Sequence, residues 1–178
     1  MITPAQRTYE YIGPADHTRS IAPERIGRAI ESPADLTSWT AEQPAAELRE
    51  PFTFVIDLKL RMRVAARRSE HVVCAGGQRV LAAGEIGFEH GSDGWTVDYV
   101  SNQSTGYCPD LDSWVAVAAA LDRIGLAHPP AFTQQAIFRR CPECAELNAV
   151  RDEFFACAFC ESDLPAIWNV EAAAVPQN

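Results

Sequence analysis

Apolar residues occupy every second position between residues 52 and 64, and this alternation predicts a β-strand with one buried face. Lys59, Arg61 and Arg63 fall on the opposite side of that strand. A basic stripe of this kind can bind an anion, but on an amphipathic strand it is more often simply the solvated face. The apolar positions are Phe52, Phe54, Ile56, Leu58, Leu60, Met62 and Val64.

A β-hairpin is predicted further along the chain. Residues 80–88 and 95–100 have the composition of strands, and Gly91-Ser92-Asp93-Gly94 between them is a turn sequence.

An amphipathic helix is predicted after Pro109-Asp110, and Gly125 is a residue typical of a helix C-terminus. Together with the predicted strands, this helix favours an α+β fold in which a small antiparallel sheet packs against one helix. The apolar positions at helical spacing are Leu111, Trp114, Val115, Ala118, Leu121 and Ile124.

Residues 1–50 contain five of the twelve prolines, spaced about ten residues apart, so no long element can run through them. Ser32-Pro33-Ala34-Asp35 combines an N-cap, a proline at the first helical position and an acid in the first turn, which predicts a short helix. Residues 23–26 are a second candidate helix start. We expect an irregular N-terminal extension with short helices, packed on an α+β core domain of residues 51–136.

Four cysteines near the C-terminus follow the pattern C-x2-C-x12-C-x2-C, which predicts one bound zinc ion. Two residues between the thiols let both sulfurs of a pair reach the same ion from a tight turn. Two disulfides or free buried thiols are the alternative. Because thiolates would fill all four positions, the Zn2+ is expected to be structural rather than catalytic. The predicted ligands are Cys141, Cys144, Cys157 and Cys160.

The residues around these cysteines predict a zinc ribbon over residues 137–170, followed by a disordered tail at 171–178. Residues 147–150 and 154–156 have the composition of two short strands, and Arg151-Asp152-Glu153 would form the bend between them. Such a unit has too little core to fold without its metal.

Charge and hydropathy narrow the classes of partner. The chain carries a net charge of −9. Between residues 138 and 170, three Arg against six Asp and Glu leave a local net charge of −3, so nucleic-acid binding through the ribbon is disfavoured. Contact with protein is favoured, either with another chain or with the N-terminal domain of this chain. No apolar run approaches the roughly 18 residues of a membrane span, and the first residues lack the apolar region of a signal peptide. The expected location is the cytoplasm. Candidate contact residues are Phe154, Phe155, Phe159 and Trp168.

The segment from Arg67 to Pro109 contains an AGEI strand and an NQSTGYCP loop. With the four-cysteine ribbon, it resembles an uncharacterised bacterial family over about residues 50–170. It is also distantly similar to the SGHYxP module of plant IQ-motif proteins and bacterial effector-like proteins. On that resemblance the module's positions are taken by His71, Ala83, Gly84, Ser104, Tyr107 and Pro109, while the histidine of the module's loop is absent. The resemblance bears on fold more than on function.

The same segment contains the residues of a possible active site. His71, Glu85, Tyr107 and Cys108 could line one pocket, with Cys108 as a nucleophile and His71 as its base. The alternative is that Cys74 and Cys108 are small buried apolar residues, that His71 bonds a backbone carbonyl, and that the Ser-Asn-Gln-Ser-Thr-Gly loop is held by its own side chains.

Three functions therefore remain. The leading one is a cytosolic, zinc-stabilised protein-interaction or adaptor module without catalysis. The second is a transferase-like enzyme that uses the four candidate pocket residues. The third, nucleic-acid binding through the ribbon, is disfavoured by charge.

Overall fold

The computed structural model describes residues 7–19 and 21–171, and its centre is a five-stranded antiparallel sheet. The strands are β1 (Arg28–Ile30), β2 (Phe52–Ile56), β3 (Met62–Ala65), β4 (Ala82–Gly91) and β5 (Gly94–Val100). Their order across the sheet is β1-β3-β2-β4-β5. A separate two-stranded sheet consists of β6 (Ile137–Arg140) and β7 (Leu147–Val150).

Four α-helices accompany the sheets. They are α1 (Ala15–Arg19), α2 (Pro33–Ala41), α3 (His71–Cys74) and α4 (Trp114–Ile124), and single 3-10 turns lie at Pro23–Arg25, Glu47–Arg49 and Leu111–Ser113. The predicted α+β class, with an antiparallel sheet and a C-terminal four-cysteine ribbon, is confirmed. In the described part of the chain, no helix is both long and apolar enough to cross a membrane.

The prediction of a single strand from residue 52 to 64 is wrong, because the chain turns back between β2 and β3. The Asp57 carboxylate accepts the backbone N–H groups of Lys59 and Arg61, at 2.9 and 3.1 Å, and thereby fixes the turn. Asp57 also pairs with the guanidinium groups of Arg61 and Arg63. The basic stripe is therefore broken by the turn and partly neutralised.

Both faces of the central sheet are covered, which explains why all five residues of β2 are buried. On one face, Phe54 and Ile56 belong to a core that α2 and α4 complete. On the other face, Val55 packs in a second core with α3 and with residues from the C-terminal ribbon. The ribbon thus shares a core with the sheet.

The predicted hairpin and helix are confirmed by β4, β5 and α4. A 3-10 turn opens the helical segment at Leu111, where the Asp110 carboxylate accepts the backbone N–H at 2.9 Å. Gly125 ends α4 with a φ of 84°, a conformation that glycine adopts without strain.

The N-terminal segment supplies part of the sheet itself. The predicted helix is α2, and the hydroxyl of its N-cap Ser32 accepts the N–H of Asp35. Upstream of that helix, β1 pairs with β3, so the sheet continues across the expected boundary at residue 50. Of the expected disordered tail, residues 172–178 lie outside the described residues.

Gly84 in β4 is a position where the fold requires glycine. A Cβ atom there would overlap the backbone carbonyl of Ser101 and lie 3.1 Å from the Cα of Asn102. We expect Gly84→Ala to lower the free energy of unfolding by about 3 kcal/mol, because backbone atoms cannot move aside cheaply.

Chemical denaturation checks this expectation. Gly91→Ala, at the end of the same strand, is the matched control: a Cβ there meets no atom within 4 Å, so its effect should stay within about 0.5 kcal/mol. Equal stability of the two variants would contradict the packing argument.

Candidate metal centre

The first cysteine pair lies in a tight turn between β6 and β7. The N–H of Ala145 donates to the carbonyl of Cys141 at 3.0 Å, and the N–H of Cys141 donates to the carbonyl of Glu146 at 2.9 Å. Ala145, directly after Cys144, has a positive φ of 62°. These bonds direct both thiols of the pair to the same side of the turn.

The second cysteine pair repeats this geometry. The N–H of Glu161 donates to the carbonyl of Cys157 at 2.9 Å, and the N–H of Cys157 donates to the carbonyl of Ser162 at 2.8 Å. Glu161, directly after Cys160, has a φ of 63°. Two turns with the same hydrogen bonds and the same left-handed residue therefore present four thiols.

The four sulfurs converge on one point. All Sγ atoms lie within 4.8 Å of one another, with 3.5 Å between Cys141 and Cys160 and 3.6 Å between Cys144 and Cys157. A tetrahedral site with metal–sulfur bonds of about 2.3 Å places its sulfurs roughly 3.8 Å apart, whereas a disulfide needs about 2.05 Å. The cysteines are free thiols, and their arrangement could hold a metal ion.

Proton sharing within the cluster also favours a cation at its centre. Burial acts to raise the pKa of Cys157, but the N–H groups of Phe159 and Cys160 and the side chain of Asn148 lower it to about 6. The N–H of Glu146 acts to lower the pKa of Cys144, yet the three neighbouring sulfurs raise it to about 12. Without a cation, one thiolate forms at the expense of its neighbours; a bound cation stabilises all four.

Asn148 joins the two cysteine turns, and sequence reasoning missed it. Its side-chain N–H2 donates to the carbonyl of Glu146 and to the Cys157 sulfur, and its oxygen accepts the N–H of Ala158 at 2.9 Å. Asparagine is a poor strand former, so an Asn between apolar residues of a predicted strand was the sequence signal that this side chain is needed there. In the structure, Asn148 is buried.

The predicted strand at residues 147–150 is β7, whereas residues 154–156 form only isolated bridges. β7 pairs instead with β6, which precedes the first cysteine turn. Residues 151–154 form a tight reversal with a single bridge, in which Asp152 and Glu153 have positive φ values of 50° and 57°. The first cysteine turn already closes a hairpin of its own, so β7 finds its partner on that side.

Few apolar groups hold the cysteine turns together. Their buried cluster consists of Cys141, Cys157 and Leu164, with Phe155 and Val150 packed partly against it. Two of these three buried residues are candidate metal ligands, so apolar burial alone gives this unit little stability.

Trp168 attaches the ribbon to the rest of the molecule. Its side chain is 9% exposed, and its indole N–H donates to the carbonyl of Cys108 at 2.8 Å. The ring packs edge-to-face on Tyr9, with centroids 5.4 Å apart, and the Arg7 guanidinium lies 4.6 Å from its centroid. Of the four aromatic residues expected at a partner interface, Trp168 is therefore occupied within the chain.

The segment after the second cysteine turn returns along β6. The Asn169 side chain accepts the N–H of Arg140 at 2.9 Å and donates to its carbonyl at 2.7 Å. The buried Arg139 guanidinium donates to the carbonyls of Pro165 and Ala166. These bonds cover most of the outer edge of β6.

The candidate catalytic residues are held mainly by backbone carbonyls. The His71 ring bonds the carbonyl of Gly84 at 2.9 Å through Nε2, and burial lowers the pKa of the imidazole. The Tyr107 hydroxyl donates to the carbonyl of Gln78 at 2.6 Å. Glu85 follows Gly84 on β4 and is half-buried.

The cavity that His71 lines does not include the other three candidate residues. The cavity that His71 lines has a volume of about 60 Å³, and Glu85, Tyr107 and Cys108 do not line it. That volume accommodates only a few water molecules. Tyr107 and Cys108 are instead buried in the second core, beside Trp168.

No family model, curated protein or solved structure matches this chain.

Cys108 is expected to be chemically inert in the folded protein. Its side chain is fully buried, its thiol donates to the carbonyl of Thr105, and burial raises its pKa to about 12. A nucleophilic thiol needs thiolate character and access to solvent, and Cys108 has neither.

Peptide mapping after treatment with N-ethylmaleimide at neutral pH measures this. Cys108 should label only in denaturant, and Cys108→Ser should still fold. Rapid labelling of Cys108 in the native protein, slowed by His71→Ala, would contradict the expectation and support an enzyme.

Proposed function

We propose that this protein is a zinc-stabilised, non-catalytic protein-interaction module of the cytoplasm. One Zn2+ would be bound by Cys141, Cys144, Cys157 and Cys160. Four thiolates are a donor set typical of structural zinc and leave no position for water or substrate. Free thiols at this density suit a reducing compartment.

The observation that carries the interaction role is a groove on the ribbon. It has a volume of about 830 Å³ and is lined by residues 147–151, 154, 156–159 and 161. Phe154 and Phe159 on its walls are 73% and 65% exposed. Aromatic side chains in a concave surface are frequent anchors at protein interfaces.

Two further observations favour binding over catalysis or nucleic-acid contact. The polar groups of His71, Tyr107 and Cys108 are engaged by backbone carbonyls, and the small cavity that His71 lines includes neither Tyr107 nor Cys108. The ribbon carries a net charge of −3 between residues 138 and 170, which repels phosphate.

Protein purified without added metal is expected to contain one zinc ion per chain, measured by elemental analysis. Cys157→Ser should lose the zinc, whereas Cys74→Ser, which alters a buried cysteine outside the cluster, should keep it. Removal of the zinc with a chelator should shift tryptophan emission to longer wavelength, because Trp168 loses the support of the ribbon. A folded chain without metal, or a disulfide among the four cysteines, would overturn the zinc assignment.

The interaction role is tested by affinity capture from cells that make the protein. A partner should be retained by the wild type and lost with Phe159→Ser, because Phe159 forms a wall of the groove. Val115→Ser is the matched control, since Val115 is an equally exposed apolar residue on α4. If Phe159→Ser removes no captured protein, or if Val115→Ser removes the same ones, the groove is not the binding surface.

A further inference from the structure

One wall of the ribbon groove is an open strand edge. The N–H of Cys141 bonds the carbonyl of Glu146, and in an antiparallel pair the residues that face the partner alternate. Asn148 and Val150 therefore direct their backbone groups toward β6, while Leu147 and Ala149 direct theirs away from it. Within residues 7–19 and 21–171, no backbone hydrogen bond from outside the strand pair engages Leu147 or Ala149.

Three of the four outward backbone groups on the opposite edge of the same sheet are bonded. On β6, the outward N–H and carbonyl of Arg140 both bond the Asn169 side chain, and the carbonyl of Phe138 accepts from the Arg139 guanidinium at 2.7 Å. The backbone groups of the two-stranded sheet are therefore largely satisfied on the β6 side and available on the β7 side. An available edge of this kind is where an additional strand can pair.

We propose that the groove receives an extended peptide segment of a partner protein, which adds a third strand to β7 and carries Lys or Arg beside apolar residues. This inference rests on the proposed interaction role of the same groove. β7 spans four residues, or about 13 Å, so the paired part of the peptide is about four or five residues long.

The groove has partners for both kinds of side chain in such a peptide. Side chains of a strand alternate between faces, so every second residue of the peptide can pack against Phe154 or Phe159 while its backbone pairs with Leu147 and Ala149. Specificity then comes from the side chains, and much of the affinity comes from backbone hydrogen bonds.

Charge selects a basic peptide. With Zn2+ bound, the cluster of four thiolates would carry a net charge of −2, and its Cys157 lines the groove together with Glu161. Asp152 and Glu153 are exposed at the bend beside it, and Arg151 is the one cation in the lining. An acidic peptide would meet repulsion here, whereas Lys or Arg would be attracted.

The same charge disfavours a second copy of this chain as the occupant. Pairing of two β7 edges would bring two acidic ribbons and two thiolate clusters together. Like charges at close range cost free energy, so the edge is suited to an oppositely charged partner rather than to itself.

The probe for this inference is a displayed library of random twelve-residue peptides, selected on the full-length protein as isolated with its metal. We expect selected sequences to be enriched in Lys and Arg and in alternating apolar residues, to be poor in Pro, and to bind more weakly as salt rises. Binding should fall at least about tenfold with Phe159→Ser.

Ala149→Pro tests strand addition directly. Proline removes the outward N–H of residue 149 and leaves the bonds of Asn148 and Val150 to β6, and edge strands tolerate it at such positions. Peptide affinity should fall at least about tenfold in Ala149→Pro, while Ala149→Ser, which keeps the N–H, should bind within about twofold of the wild type. Metal content and tryptophan emission report whether the variant folds.

N-methylated peptides keep the test decisive if Ala149→Pro does not fold. In one set of peptides, the alternate backbone nitrogens whose N–H groups face β7 are methylated, and binding should be abolished. In a second set, the other nitrogens are methylated, and binding should be unchanged. Equal effects in the two sets would overturn strand addition.

The remaining outcomes separate this inference from the interaction role. Peptides that need Phe159 but ignore Ala149→Pro would overturn strand addition and leave the groove as a protein-binding surface. Selection of acidic or Pro-rich peptides, or of none that depend on Phe159, would overturn the proposed partner class, while the affinity capture decides the interaction role separately. A dimer that Ala149→Pro dissociates would identify a second copy as the occupant and also overturn the inference.

Discussion

The convergence of four sulfurs on one point is the constraint on which the ribbon depends. Each cysteine turn is associated with one wall of the groove. β7 comes directly after the first turn, and Phe159 lies within the second. The apolar cluster beneath them is small, and Asn148 supplies the main polar link between them. Loss of the cluster would therefore separate the walls of the groove as well as loosen the fold.

Asparagine side chains replace missing strand neighbours at two other places, and this decides which surfaces remain open. Asn169 bonds both backbone groups of Arg140, and Asn102 does the same for Ala136, whose N–H it accepts and whose carbonyl it bonds. A side-chain amide has the donor and acceptor of a peptide group, so it can close an edge without another strand. Since most outward groups of β6 are bonded by side chains and those of Leu147 and Ala149 on β7 are not, the more open edge of the sheet lies in the groove.

Local sequence patterns predicted the elements whose periodicity and turn residues lie within the element itself. They failed where contacts with distant residues determine the structure. The β4–β5 hairpin and α4 follow from periodicity and from glycines at turns, and the four clustered cysteines follow from their spacing alone. The turn at Asp57 was hidden because Leu58 and Leu60 continue the alternation of the flanking strands. No strand was predicted at β6, where the buried Arg139 guanidinium depends on carbonyls 26 and 27 residues further along the chain.

The conspicuous loop from Ser104 to Pro109 is accounted for by its contact with the ribbon. Cys108 has a φ of 45°, and its carbonyl accepts the Trp168 indole N–H. The N–H of Cys108 bonds the carbonyl of Ser104 and its thiol bonds that of Thr105, so the loop is folded on itself before the ribbon packs on it. A strained residue is maintained only when its surroundings over-determine it, and here those surroundings include the ribbon. Tyr107 and Cys108, two of the candidate catalytic residues, thus connect the central sheet to the four-cysteine unit. Through them a change at the four cysteines can reach the second core.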